Sequence, residues 1–391
     1  MGEQGHGSRR SLAESSWGDP SDTMRPGAAQ VHRFGWRRMA LLTFVLLSVG
    51  AAALALLSDS TSPEWTPVRE PENVRFHESR FDRKPDLFLS VSDPRVVPSS
   101  LATLNDDDEV LGLVVGDEER AYDVLALAYH HVVNDTVGGR PVAMTYCLIC
   151  SSGIAFEREC DGRALTFGYH GIWNGTAVLY DHQTDSKWLQ ISGECIEGSL
   201  KGQWLKPINC RHTVWSEWLA AHLDGTVMQT QREFADAYFP RSKTSRGNDF
   251  FPANFPSTMQ YLDPRLPVSA LCCCIRIGQE TRAYPFSALA QLEGGVVNDV
   301  LGGTPVVVAF NGDTQSATAL AREYNGETIT FCRTADGYLK DLKTGQEFDL
   351  EGRPRNVEEA SGLRKLYTLQ SEWYGWAATW PETTIWNRAR G

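Results

Sequence analysis

Apolar residues along most of this chain come in short blocks separated by polar turns, a pattern that predicts strands. Val110–Val115 is an apolar run ended by Gly116, as expected of a buried strand. Val142–Tyr146, Ile154–Glu157, Ala164–Phe167, Ala177–Tyr180 and Trp188–Ile191 are further strand-like blocks, divided by Gly, Asp and Asn. Two blocks read instead as helices. Asp123–Tyr129 has Asp123 as a cap and Val124, Leu125 and Leu127 to bury. Within Thr213–His222, Trp215, Trp218, Leu219 and His222 fall at i, i+3, i+4 and i+7 on one face.

The plan then repeats through Ala270–Ile277, Phe286–Leu292, Val306–Phe310, Ala317–Ala321, Thr328–Phe331 and a last helix near Ser371–Thr379. Individual residues repeat with it. Arg120-Ala121-Tyr122, Val133-Asn134-Asp135, Gly138-Gly139, Pro141-Val142 and the pair Trp215/Trp218 return in the same order. Their counterparts are Arg282-Ala283-Tyr284, Val297-Asn298-Asp299, Gly302-Gly303, Pro305-Val306 and Trp373/Trp376, at offsets of 162, 164 and 158. Such self-similarity implies a duplication. The expected fold is α+β and β-rich, with two tandem duplicated units packed about a pseudo-twofold axis. The first unit runs over 106–240 and the second over 241–391. Phe250, Phe251, Pro252, Phe255 and Pro256 suggest a packed connection between them.

One stretch breaks the pattern. Met39–Leu57 is 19 residues without a charge, about 30 Å as a helix and enough to span bilayer hydrocarbon. Arg33, Arg37 and Arg38 precede it, whereas Asp59 and Glu64 follow. This predicts a single transmembrane helix with a cytoplasmic N-terminus and a body outside, periplasmic or at the cell surface. A cleaved signal sequence ending near Ala51-Ala52-Ala53 is the alternative, and it exports the body equally. Residues 1–38 read as a disordered cytoplasmic tail, and 58–105, with its scattered prolines, as an extended lead-in.

Charge narrows the partners. The chain carries −12 overall; residues 1–57 hold six Arg against four acids, leaving −14 on the body. An acidic body argues against nucleic acid, so the membrane is engaged through the one helix. The sequence names no protein or small-molecule partner.

Reading the two units against each other isolates candidate chemistry. His130, Cys147 and Cys150 occupy places where the second unit has Gly294, Asn311 and Thr314. Two thiolates two residues apart, with an imidazole brought alongside, make a soft-metal set for Cu or Zn, and His131, His170 and Cys195 are candidate further ligands. The same cysteines would also serve as a redox dithiol, a structural disulfide or two inert buried thiols. Nine cysteines in an exported chain leave at least one outside any intramolecular pair.

Other motifs read more simply. Cys272-Cys273-Cys274 matches Val110-Leu111-Gly112 in an opening strand, where cysteine fills core. Asp181, Thr184 and Trp188 fit a structural turn, as do Asn134-Asp135 and Asn298-Asp299 before their glycine pairs. Asp106-Asp107-Asp108-Glu109 fits a solvated turn. No GxSxG, GxGxxG or Walker loop is present, which leaves hydrolase and nucleotide readings without support.

The runs HHVVNDTVGGRPVAMTYCLICSSGIAF, YDHQTDSKWLQISGECIEGSLKGQWL and TVWSEWLAAHLDGTVM resemble an uncharacterised, mostly prokaryotic family catalogued as domain of unknown function thirty-one seventy-nine. RAYPFSALA, VVNDVLGGTPVVV and SEWYGWAATWPETTIW are similar to its later part, so the likeness covers about residues 90–388. His130, Cys147, Cys150, Asp181, Thr184, Trp188 and Gly193 match the family's motif residue types. Leu148 and Tyr129 stand where the family usually has proline and often has tryptophan. The resemblance implies export or membrane anchoring and brings no activity. Two expectations remain open: a His130/Cys147/Cys150 metal or redox site beside a chemically silent second unit, or a non-catalytic envelope binding or scaffolding module with structural cysteines.

Overall fold

In the first half of the computed structural model, Glu109–Val115 and Glu118–Asp123 form a hairpin flanked by Cys210–Val214 on one side and Thr226–Met228 on the other. Residues 80–240, 255–356 and 362–387 are described. The tail 1–38, the Met39–Leu57 run, the lead-in before residue 80 and Phe250-Phe251-Pro252 lie outside them. Among the described residues no helix is long and apolar enough to cross a membrane.

Two further five-stranded sheets lie in this half. Val132–Val137, Arg140–Cys147 and Ser152–Glu157 pair as an antiparallel meander, and Phe167–Trp173, Thr176–Asp181, Lys187–Leu189 and Cys195–Glu197 as another. The helix Val124–His130 follows directly on the first hairpin because the Asp123 carboxylate accepts the Leu125 N–H at 3.0 Å. Five of its seven residues are apolar and buried, so packing rather than propensity holds so short a helix.

The second half has the same strand order. Thr368–Glu372, Leu271–Ile277, Glu280–Pro285 and Thr384–Ile385 form one sheet, Val296–Leu301, Thr304–Asn311 and Ser316–Ala321 the next, and Phe331–Arg333, Leu339–Asp341 and Glu347–Phe348 the third. Side-chain bonds recur as well. Asp135 Oδ2 accepts from Arg120 Nη1 at 2.6 Å and from the Tyr122 hydroxyl at 2.7 Å, and Asp299 accepts from Arg282 and Tyr284 at 2.6 and 2.8 Å. Asn134 clamps the Phe167 backbone on both sides, as Asn298 clamps Phe331.

These bonds correct the expectation that Asn134-Asp135 and Asn298-Asp299 form turns. All four lie inside strands, and only the glycine pairs turn: Gly138 and Gly139 have φ of 56° and 72°. A polar residue can stay in a strand when its side chain meets every bonding partner, and these do. In the acidic run, Asp108 is buried rather than solvated. Its carboxylate accepts from Asn105 N at 2.7 Å, and its carbonyl receives the N–H of Trp215 at the start of the Trp215–Ala221 helix.

The halves are not separate bodies. One core joins Ile154, Phe156, Phe167 and Trp188 of the first half to Cys272, Cys274, Leu369, Trp373 and Trp376 of the second. Cys273 faces the other side of its sheet, toward Tyr284 and Val308. The seam is built by exchanged helices. The helix Trp215–Ala221 sends Glu217 to the turn before Ser316, where its carboxylate accepts from Thr314 Oγ1 at 2.6 Å and Ser316 Oγ at 2.9 Å. The helix Trp373–Thr379 seats Gly375 on the turn before Ser152, where a Cβ would stand 3.0 Å from that of Cys150.

Candidate functional site

Arg140–Cys147 and Ser152–Glu157 pair with Cys147 opposite Ser152, so four residues, Leu148 to Ser151, close the hairpin. Ser151 turns it with φ of 51°. The second half closes an equal loop from Asn311 to Ser316, with Gln315 at 49°. There the Asn311 carboxamide oxygen accepts the Asp313 N–H at 3.1 Å, and Thr314 Oγ1 lies 2.9 Å from Ser316 Oγ. Cys147 stands in the acceptor's place and Cys150 in that of Thr314, with the Cys150 sulfur 3.0 Å from Ser152 Oγ.

The two sulfurs meet. Hydrogen bonding with Cys150 holds the Cys147 thiol below the ordinary value. Burial opposes this, and the backbone N–H groups of Cys150, Ala177 and Ile149 reinforce it. Cys150 is pushed far up, first by burial and then by its charged neighbour. Of the two, Cys147 is the one whose ionisation the surroundings favour. Both are fully covered, at 1% and 0% exposure, by Tyr169, Ile172, Met259, Leu262, Tyr374 and Ala378. Beneath them Ser152 Oγ donates to Gln190 Oε1, and the Gln190 amide donates to Thr145 Oγ1 at 3.1 Å.

His130 does not join them. Its Nδ1 donates to the Leu89 carbonyl at 2.6 Å and its Nε2 accepts from the Tyr238 hydroxyl at 3.1 Å. Both nitrogens of a neutral ring are therefore used, and burial lowers its pKa. The expected three-ligand soft-metal set is not assembled: among the described residues no group of three or more His, Cys, Asp or Glu is placed to hold a metal ion. The cause is local. The helix ending at His130 turns that side chain toward Tyr238, Phe234 and Tyr129 rather than toward the cysteine loop.

His131 lies nearer the pair. It stacks on Phe88 at 4.1 Å and meets the edge of Tyr169, which itself covers Cys147. Its Nδ1 is buried without a partner, and burial drives its pKa down to about 3. With φ of 61° it holds a left-handed conformation that the second half gives to Gly295. His170 and Cys195 lie elsewhere. His170 sits at a strand bulge 3.2 Å from Arg83 Nη1, and the Cys195 thiol donates to the Glu197 carbonyl at 3.3 Å. Asp181 is a turn anchor, accepting from Thr184 N at 2.6 Å, Thr184 Oγ1 at 2.8 Å and Trp188 Nε1 at 2.9 Å.

Sequence comparison missed what the second half brings. Glu372 is buried; its N–H bonds the Cys150 carbonyl at 2.9 Å and its carboxylate accepts from Ser151 Oγ at 3.4 Å. Ser371 Oγ donates to the same Cys150 carbonyl. The signal was available, because Glu372 and Gly375 stand where the first half has Val214 and Glu217.

A family model described as a protein of unknown function (DUF3179) matches residues 85–383. The chain belongs to this family. Its matched span includes the cysteine turn and the strand and helix that cover it. No curated protein and no solved structure matches the chain.

Proposed function

We propose that Cys147 and Cys150 are a thiol–disulfide redox centre in an exported, membrane-tethered body built by internal duplication. One observation carries the redox reading: Cys147 and Cys150 share one four-residue hairpin turn, with Cys147 in the place where the second half has the accepting Asn311 side chain. Hydrogen bonds at that place stabilise a thiolate, which is the nucleophile of disulfide exchange. Cys147 would attack a substrate disulfide and release one thiolate. Cys150 would then attack Cys147, release the second thiolate and close the internal disulfide, moving two electrons. Tethering is supported by the apolar run Met39–Leu57 behind Arg33, Arg37 and Arg38. The repeated Arg–Tyr–Asp and Asn clamps support duplication.

The test equilibrates the full-length protein in graded dithiothreitol buffers, traps thiols by alkylation and reads each cysteine by mass spectrometry. A reversible Cys147–Cys150 disulfide is expected, with Cys147 the first thiol alkylated at neutral pH. Absence of that disulfide, with Cys147 no faster than the buried cysteines, would refute the proposal.

Complete burial of both sulfurs favours a second reading, a binding or scaffolding module with structural cysteines. It predicts that Cys147→Ser with Cys150→Ser lowers stability and leaves partner association intact. Fusion of topology reporters on either side of Met39–Leu57 tests the tether: activity of a periplasmic reporter placed before Met39 would contradict it.

A further inference from the structure

We propose that Glu372, supplied by the C-terminal half, accepts the Cys150 proton when the dithiol closes to its disulfide. The inference rests on the redox reading above. Glu372 ends the strand Thr368–Glu372 and is 1% exposed. Its backbone is bonded to the Cys150 carbonyl at 2.9 Å, and its carboxylate accepts from Ser151, the residue after Cys150. Gly375, one turn along, lets the helix approach until backbone and Cys150 Cβ are in contact. The Glu372 backbone is thereby fixed against Cys150, and its carboxylate against the neighbouring Ser151, by a strand and a helix rather than by a loop.

The ionisable groups around this point include Cys147, Cys150, Glu372, Tyr374 and Tyr169, with His131 against the edge of Tyr169. The charges of both Cys147 and Glu372 oppose the ionisation of Cys150. Once Cys147 is in the mixed disulfide its charge is gone, and a free Cys150 thiolate is still disfavoured by burial and by the Glu372 carboxylate. Transfer of its proton to Glu372 removes that anion as the thiolate forms, so negative charge is moved rather than added. The pairing is also specific to the cysteine turn. At the matching turn of the second half the residue before the packed helix is Val214, and the partner is the Thr314 hydroxyl, which bonds Glu217 instead.

The chemistry balances. The Cys147 thiolate attacks a disulfide, giving a mixed disulfide and one thiolate. Glu372 takes the Cys150 proton as the Cys150 sulfur attacks Cys147, the internal disulfide forms and the second thiolate leaves. That thiolate takes the proton from Glu372. Net, one disulfide, one thiolate and one thiol become the internal disulfide, one thiolate and one thiol.

The experiment uses the full-length protein with bis(2-hydroxyethyl) disulfide, a small uncharged oxidant suited to a covered site. Acid-quenched, alkylated samples are read by mass spectrometry from about pH 5 to about pH 9. In the wild type, the mixed disulfide on Cys147 should form and close. In Glu372→Gln it should form at the wild-type rate and close about a hundredfold more slowly or worse, with a closure rate that now rises with pH. Glu372→Asp, which keeps a carboxylate, should recover part of the rate without the new pH dependence, an outcome that mere packing would not give. Closure in Glu372→Gln at the wild-type rate and pH profile overturns the role of Glu372 alone. A wild type that never forms the mixed disulfide overturns the redox reading beneath it.

Discussion

Replacing Cys150 with alanine removes the hydrogen-bonding neighbour that does most to hold the Cys147 thiol low. A hydrogen bond to a charged group contributes about 1.5–3 kcal/mol. Each ~1.4 kcal/mol is tenfold in the ionisation equilibrium, so the Cys147 thiolate fraction at neutral pH should fall roughly tenfold to a hundredfold. Iodoacetamide alkylation, resolved peptide by peptide, should slow at Cys147 by that factor in Cys150→Ala. Cys150→Ser keeps a donor on the same Cβ and should stay within a few-fold of the wild type. The two consequences of the alanine change pull in opposite directions. Removing a buried sulfur opens space and by itself would admit the reagent faster, so a fall in rate isolates the lost hydrogen bond. Alkylation of Cys147 in a folded Cys150→Ala protein at the wild-type rate or faster would refute the favoured ionisation of Cys147.

The two sets of Arg–Tyr–Asp bonds differ in burial: the Arg120–Asp135 side chains are 9% and 5% exposed, those of Arg282–Asp299 23% and 18%. Asp135→Ala should therefore cost about 3–5 kcal/mol in urea unfolding and Asp299→Ala clearly less; equal losses would contradict the burial argument. His131, held neutral by burial with its pKa down at about 3, binds a proton in the unfolded chain at higher pH than in the folded one. Its contribution to stability is complete above about pH 6.5 and declines as pH falls toward 3. His131→Asn, which tolerates the left-handed backbone, should flatten the stability profile across that window, as followed by thermal melts. Gly375→Val adds branched bulk 3.0 Å from the Cys150 Cβ and should destabilise by about 1–3 kcal/mol. It should also slow disulfide closure, whereas a variant that melts and closes like the wild type would exclude the close packing.

Hairpin order, the two tryptophan helices and the β-rich character were legible in the sequence because each is written in local periodicity and turn residues. The asymmetry at Cys147 and Cys150 was legible too, since one half serves as a control for the other. His130 was misplaced by the same reasoning. Its alignment was sound, but its direction depends on Tyr238 and the Leu89 carbonyl, 108 and 41 residues away along the chain. Asn134-Asp135 looked like a turn because the clamp on Phe167 and the bonds from Arg120 and Tyr122 are made across sheets.

Local chemistry, then, determined which residues form strands, where the chain turns, and that two thiols spaced by two residues share one hairpin loop. Only the tertiary structure decided what surrounds those thiols. Glu372 and Gly375 reach Cys150 from more than 200 residues away because the halves exchange helices across a common core. Such an exchange is fixed by the summed packing of both sheets, and no short window of residues records that sum.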